Sequence, residues 1–359
     1  MSGALQRFCR RWWAGDAGWG GIVLSAALRP MSWIWSAGAW LRNRRYDRLG
    51  GTAVGGLAVV SVGNLAVGGT GKTPLASWIV RQLSASGRHP ALLLRGYGRD
   101  EALLHALWTP DVPVFVGADR VACAREARDS GSDFVVLDDG FQNRALSRSL
   151  DIVLLAVEDP FPGPVLPCGP YREAASALGR ADALILTRRS ASVAEARRLE
   201  QVVHGLEGIS GGLVKGSVRL VAADLRRLGV AHRPYGPASV SASNRLADAT
   251  PPPRLENPVV LTAIARPDTF LRDVESATVG SAELMAFGDH HDFTASDVRG
   301  VRARAGSRPI VMTEKDAVKL TDFRNILGEA WVLGQSLEWD WGEGDVLRML
   351  GALVSVENA

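Results

Sequence analysis

Along the middle of the chain, short runs of Val, Leu and Ile without polar alternation recur, and stretches of helical spacing lie between them. Residues 57–62, 91–94, 134–138, 152–155 and 183–187 read as strands buried on both faces, the mark of a parallel sheet. Helices are predicted over 73–84 and 119–129. A second, smaller set follows, with strands over 259–264, 283–287, 309–313 and 331–333 and helices over 268–276 and 295–305. Residues 234–258, rich in Pro, Ser and Ala, read as a loop or linker. Before all of this, Trp33, Ile34, Ala37, Trp40 and Leu41 approximate helical spacing and run into Arg42, Arg44, Arg45 and Arg48. The expected fold class is α/β, a mostly parallel sheet with helices on both faces. A second smaller α/β domain and an N-terminal amphipathic helical segment accompany it.

The first strand runs into Gly63 and on to Gly68-Gly69-Thr70-Gly71-Lys72-Thr73, which opens the first helix. Strand, glycines, Lys-Thr and helix together make a phosphate-binding loop of P-loop NTPase type. Backbone N–H groups of Gly68, Gly69, Thr70 and Gly71 can turn inward on phosphate oxygens. Lys72 can reach the β- and γ-phosphates of ATP, and the Thr73 hydroxyl can ligate Mg²⁺. The first glycine of the usual pattern is Ala66 here. Pro74 falls where a missing N–H costs little. A second signature is the apolar run ending in Asp138-Asp139-Gly140-Phe141-Gln142. Two carboxylates at a strand's C-terminal end suit a Mg²⁺ shell beside a phosphate loop; the other reading is a solvated turn. The expected organisation is a 1–50 membrane-interface segment and a 51–205 nucleotide-binding domain, with a 206–359 domain closing the active-site cleft.

Taken together, SVGNLAVGGTGKTP, LLRGYG, VVLDDGFQNRAL, LPCGPYRE with ALGRADALILT, FGDHHDFT and MTEKDAVKL resemble the tetraacyldisaccharide 4′-kinase family, across most of residues 56–320. The resemblance implies transfer of the ATP γ-phosphate to the 4′-hydroxyl of a tetraacylated glucosamine disaccharide 1-phosphate. The product would be lipid IVA, made on the cytoplasmic face of the inner membrane. It further implies that Gly68 to Thr73 hold the nucleotide, that Asp138 and Asp139 are the paired acids, and that Asp289-His290 is the family's Asp-His pair. The family's acidic partner of that His maps onto Asp100, in Arg99-Asp100-Glu101-Ala102. The family motif's Gly and Pro are absent there, and an exposed Asp-Glu pair at a helix start is the other reading. Asn143 stands where the family usually has His. It can donate a hydrogen bond but carries no charge.

A sugar hydroxyl attacks only when its proton has a destination. His290, oriented by Asp100 or Asp289, is the expected base. Asp289-His290-His291-Asp292 also reads as a surface turn or part of a metal site. Lys315, in Thr313-Glu314-Lys315-Asp316, reads either as a phosphate contact or as part of a solvated helix start. Arg172 and Glu173 read as acceptor-site residues or as a structural ion pair.

Composition adds one asymmetry. The chain of 359 residues carries a net charge of only +3, yet residues 1–50 hold eight Arg against two Asp and six of the 11 Trp. Interleaved indole and guanidinium groups suit a bilayer interface; the other reading is a helix packed on the nucleotide domain. No apolar run approaches the roughly 20 residues of a span, and Arg29-Pro30 splits the best candidate. Three scattered cysteines favour neither a disulfide framework nor a zinc site. Expected partners are the glycolipid substrate and the inner-membrane surface, with no nucleic acid and no obligate protein partner. The alternatives are a regulatory P-loop NTPase and a catalytically weakened nucleotide-binding member of the same family.

Overall fold

The computed structural model describes residues 8–9, 11–13, 15–96, 99–229 and 254–356. They divide into two compact units. One comprises 8–96, 112–220 and 337–356, the other 99–111, 221–229 and 254–336. Against a single boundary at 205/206, residues 99–111 group with the second unit and 337–356 with the first. Most of the Pro-rich segment, 234–253, lies outside the described residues.

The first unit begins with helix α1 (Gly18–Leu49). There follow β1 (Ala58–Asn64), α2 (Lys72–Ala85) and β2 (Pro90–Leu94). Helix α3 (Arg99–Trp108) belongs to the second unit. The chain returns with β3 (Val114–Val116), α4 (Arg120–Asp129), β4 (Phe134–Asp138), β5 (Leu150–Ala156), β6 (Ala183–Arg188) and α5 (Val193–His204). Strand β7 (Val214–Arg227) follows. The strands of this unit lie in the order β3-β2-β4-β1-β5-β6-β7, every pair parallel. β1 and β4 are buried at every residue, as their largely apolar sequences favour. Each fully buried Val or Leu contributes roughly 1.5–3 kcal/mol relative to exposure.

Strand order reverses around β1, which has β4 on one side and β5 on the other. Val62 lies opposite Asp138, so the strand end that opens the glycine loop adjoins the strand end that carries the acids. Gly63 makes this possible. A Cβ there would come within 2.4 Å of the Phe141 Cβ.

The second unit contains α3, β8 (Val259–Thr262), α6 (Pro267–Ala277), β9 (Glu283–Ala286), α7 (Ala295–Ala305), β10 (Ile310–Thr313) and α8 (Glu314–Leu320). Strand β11 (Ala330–Trp341) and helix α9 (Glu343–Val356) complete the chain. Here the order is β11-β10-β8-β9, again parallel. Its core gathers Val259, Leu261, Val298, Ile310, Met312 and Val332. β7 and β11 each contribute residues to both units.

α1 has two notable features. It runs through Pro30 without interruption. Its polarity is also the inverse of an ordinary surface helix. Side chains bonded to the rest of the unit are polar. Ser32 Oγ donates to the Val165 carbonyl (3.2 Å), Trp35 Nε1 to the Arg172 carbonyl (2.8 Å) and Asn43 Nδ2 to Glu173 Oε2 (2.5 Å). Outward stand Trp19 (84% exposed), Ile34 (73%), Trp33 (66%) and Trp40 (55%). Among the described residues no helix is long and apolar enough to cross a membrane.

Candidate active site

Each unit holds one cluster of chemically apt residues. In the first, Gly68 (φ 122°) and Gly71 (φ 89°) adopt backbone conformations closed to most residues. A Cβ on Gly68 or Gly69 would meet nothing within 4 Å, so the space beside the loop is open. Thr70 is buried, and its Oγ1 accepts from Asn64 Nδ2 at 2.8 Å, pinning the loop to the end of β1. No side chain caps the N-terminus of α2, whereas Asp119, Ser192 and Thr294 cap α4, α5 and α7. Uncapped first-turn N–H groups are what an anion takes up.

Thr73 Oγ1 donates to Asp138 Oδ2 at 2.8 Å. Asp139 has φ 59°, a left-handed conformation that costs a non-glycine residue about 1 kcal/mol or more. The turn directs its carboxylate between Lys72 Nζ (3.5 Å) and Arg172 Nη1 (2.9 and 3.0 Å). Burial opposes ionisation of Asp139, but those two cations prevail and hold its carboxyl below the usual range. Arg172 also donates to Gln142 Oε1 (3.0 Å), and Gln142 Nε2 donates to the Asn64 carbonyl (2.8 Å). Glu173 is buried among Asn43, Arg42 and Arg180, an ion-pair arrangement of the structural kind. Asn143 Oδ1 accepts from the Ala145 N–H (3.2 Å), a turn-forming use of the side chain.

In the second unit the turn after β9 carries Asp289 and His290. His290 has φ 58°, the same left-handed conformation as Asp139. Its N–H donates to the Ala263 carbonyl (3.1 Å), which fixes the turn against the end of β8. His290 Nδ1 lies 3.0 Å from Asp100 Oδ2 and 3.2 Å from Oδ1. Asp289 Oδ1 is 4.0 Å from Nε2, so Asp100 is the orienting carboxylate. Asp100 is 1% exposed, which removes the reading of a solvated helix-start pair. Burial opposes its ionisation, but the bond to His290 and the ammonium groups of Lys315 and Lys319 hold its carboxyl far below the usual range. The bond to Asp100 raises the His290 pKa, against burial and against Lys315. His291 turns elsewhere, with Nε2 3.1 Å from Asp297 Oδ2. Lys315 Nζ stands 3.5 Å from Asp100 Oδ2, 3.6 Å from Glu101 Oε1 and 3.4 Å from His290 Nε2.

A description of the tetraacyldisaccharide-1-P 4′-kinase family (LpxK) matches residues 24–354. The chain belongs to this family. Among curated relatives, the tetraacyldisaccharide 4′-kinase of Anaeromyxobacter dehalogenans (strain 2CP-C) is 38% identical over 338 residues, covering 86% of this chain and 85% of its own. That of Anaeromyxobacter sp. (strain Fw109-5) is 35% identical over 94% of this chain and 97% of its own. The solved structure of LpxK from Aquifex aeolicus in complex with ATP covers 92% of this chain and 99% of its own, with a TM-score of 0.67 and 24% identity. At that identity the likeness is one of fold. Family membership makes the chain a kinase.

Three further residues adjoin these clusters. Gln142 links Arg172 to the loop strand. Arg120 is fully buried and interacts electrostatically with Asp138 and Asp139, and burial pushes its guanidinium below its usual pKa. Lys319 Nζ donates to the His291 carbonyl (3.0 Å) and lies 3.8 Å from Asp100 Oδ2. The sequence carries no signal for Arg120, whereas Gln142 and Lys319 lie within the quoted VVLDDGFQNRAL and MTEKDAVKL stretches without a role of their own.

Proposed function

We propose that the chain transfers the γ-phosphate of ATP to the 4′-hydroxyl of a tetraacyl glucosamine disaccharide 1-phosphate, yielding lipid IVA. The observation that carries this reading is the coexistence, in one member of the family, of an uncapped glycine loop and a carboxylate-held histidine. The donor set fits a divalent cation: a hydroxyl and a carboxylate already 2.8 Å apart, Thr73 and Asp138, follow the glycine loop. When bound, Mg²⁺ would neutralise charge on the β- and γ-phosphates.

The N–H groups of Gly68 to Gly71 bind phosphate oxygens, and Lys72 exchanges Asp139 for them. Arg172 then keeps Asp139 compensated. His290 Nε2 accepts the proton of the acceptor hydroxyl as the oxygen–phosphorus bond forms and the bond to ADP breaks. The Nδ1–H···Asp100 bond stabilises the imidazolium until the proton passes to solvent. Arg172 and Asn143 stand as acceptor-side candidates, Arg172 for an anionic group. Outward Trp and Ile on α1, followed by Arg42, Arg44 and Arg45, support docking at an anionic inner-membrane surface on the cytoplasmic side.

The test uses full-length protein in detergent with labelled ATP, Mg²⁺ and the lipid acceptor, beside Lys72→Ala and His290→Ala. Label in the lipid, lost in Lys72→Ala and greatly reduced in His290→Ala, is the expected result. Hydrolysis of ATP without labelled lipid would replace the proposal by a regulatory NTPase. Nucleotide binding with neither would make the chain a binding protein.

A further inference from the structure

The second unit presents a lysine against the wrong side of a base. An ammonium group only donates. Lys315 Nζ lies 3.4 Å from His290 Nε2, so it faces a lone pair there and would repel an N–H. Nδ1 therefore carries the ring proton and donates to Asp100 at 3.0 Å. The carboxylates of Asp100, Glu101 and Asp289 prevail over burial and keep Lys315 protonated, with its pKa above the usual lysine value.

We propose that Lys315 is a positioning residue that holds His290 in the Nδ1–H tautomer and keeps Nε2 free of a proton until the acceptor hydroxyl arrives. This rests on the reading of His290 as the base. Asp100 alone would favour an imidazolium, which cannot accept a proton. Lys315 opposes it from the other edge of the ring. The separation is long for a hydrogen bond, so an incoming hydroxyl can displace the ammonium at little cost. The charged groups facing the ring are Asp100 and Glu101 from α3, Asp289 from its own turn, and Lys315 and Lys319 from α8. Of these, Lys315 is the one cation placed within hydrogen-bond range of Nε2.

The experiment measures kcat/KM for the lipid against pH, with the KM for ATP, in wild type, Lys315→Met and Lys315→Arg. In parallel, ¹⁵N NMR of histidine-labelled full-length wild-type protein reads the His290 tautomer. The expected spectrum at pH 7.5 has a protonated Nδ1 and an unprotonated Nε2. Lys315→Met should move the acid limb up by roughly half a pH unit or more, and Lys315→Arg should restore it. An acid limb that stays in place while the KM for ATP rises would overturn the proposal and make Lys315 a phosphate contact. A wild-type Nε2–H tautomer would overturn it without any variant. Full activity in His290→Gln would instead remove the base reading itself, a separate failure.

Discussion

The two clusters are built by different means. The phosphate loop is contiguous and works through backbone. Its glycines and Lys-Thr are six successive residues, 68–73, and parallel register sets Asp138 beside the strand end that opens them. The base is assembled from side chains of three elements, with Asp100 and His290 190 positions apart in sequence and His290 and Lys315 25 positions apart. They share one device. Asp139 (φ 59°) and His290 (φ 58°) are non-glycine residues in left-handed turns just past a strand end. Such strain persists only where the surroundings over-determine it, here through Lys72 and Arg172 in one cluster and Asp100 and the Ala263 carbonyl in the other. A backbone-built site should fail when its single charge is removed. A side-chain-built site should fail by degrees, according to which member is lost.

The largest effect is expected from Lys72→Ala, since nothing else in the loop carries positive charge. It should lower kcat/KM by about 10³-fold or more while the fold persists, checked by steady-state assay beside circular dichroism. His290→Ala should cost about 10²-fold or more, with Asp100→Asn falling between it and wild type. Equal losses in those two variants would mean that the pair acts as a unit.

The pH profile sharpens the same contrast. His290 must be neutral to accept a proton, and its pKa is raised above the ordinary value of about 6.5. The rate should therefore climb through a window starting above pH 6.5. Stability runs the other way. The extra stability from protonated His290 beside Asp100 is complete below the unfolded value and is lost as pH rises through the folded one. Activity and melting temperature measured over pH 6 to 8.5 should trend oppositely, and His290→Gln should flatten both.

What could be read from the sequence follows the same division. Strands β1, β4 and β6 and the loop are legible because their information is local: unbroken Val-Leu-Ile runs, then glycines, then Lys-Thr. Asp100 is reachable only through resemblance, because its partner lies 190 residues away. The long β7 and the full length of β11 are hidden, since polar residues such as Arg219, Asp224 and Glu338 interrupt their apolar pattern. The sequence leaves α1 between an interfacial helix and one packed on the nucleotide domain, because the bonds of Ser32, Trp35 and Asn43 that hold it to the 165–173 segment join positions 130 to 137 apart.

That docking determines how the membrane role is best tested. Deleting α1 would strip Glu173 of Asn43 and Arg42 and damage the nucleotide unit itself. Replacing Trp19, Trp33 and Trp40 with Ser leaves every described anchor in place. The triple variant should lose membrane affinity on the order of tenfold in vesicle flotation. Its nucleotide binding should be unchanged. Unaltered flotation would return the exposed tryptophans to ordinary surface.

The smallest expected effect separates the turn from the helix that follows it. Thr294 caps α7 by accepting from the Asp297 N–H, and Asp297 answers through the Thr294 N–H, so the pair forms a capping box. Thr294→Ala should cost about 1 kcal/mol of stability, read from denaturant melts. His291 Nε2 leans on the same Asp297, which would couple the cap to the base if the turn depended on α7. It is held otherwise, by the His290 N–H on the Ala263 carbonyl and by Lys319 on the His291 carbonyl. Turnover at saturating substrates should thus stay within about twofold of wild type. A tenfold loss of kcat in a folded Thr294→Ala variant would mean that α7, rather than the end of β8, sets the position of His290.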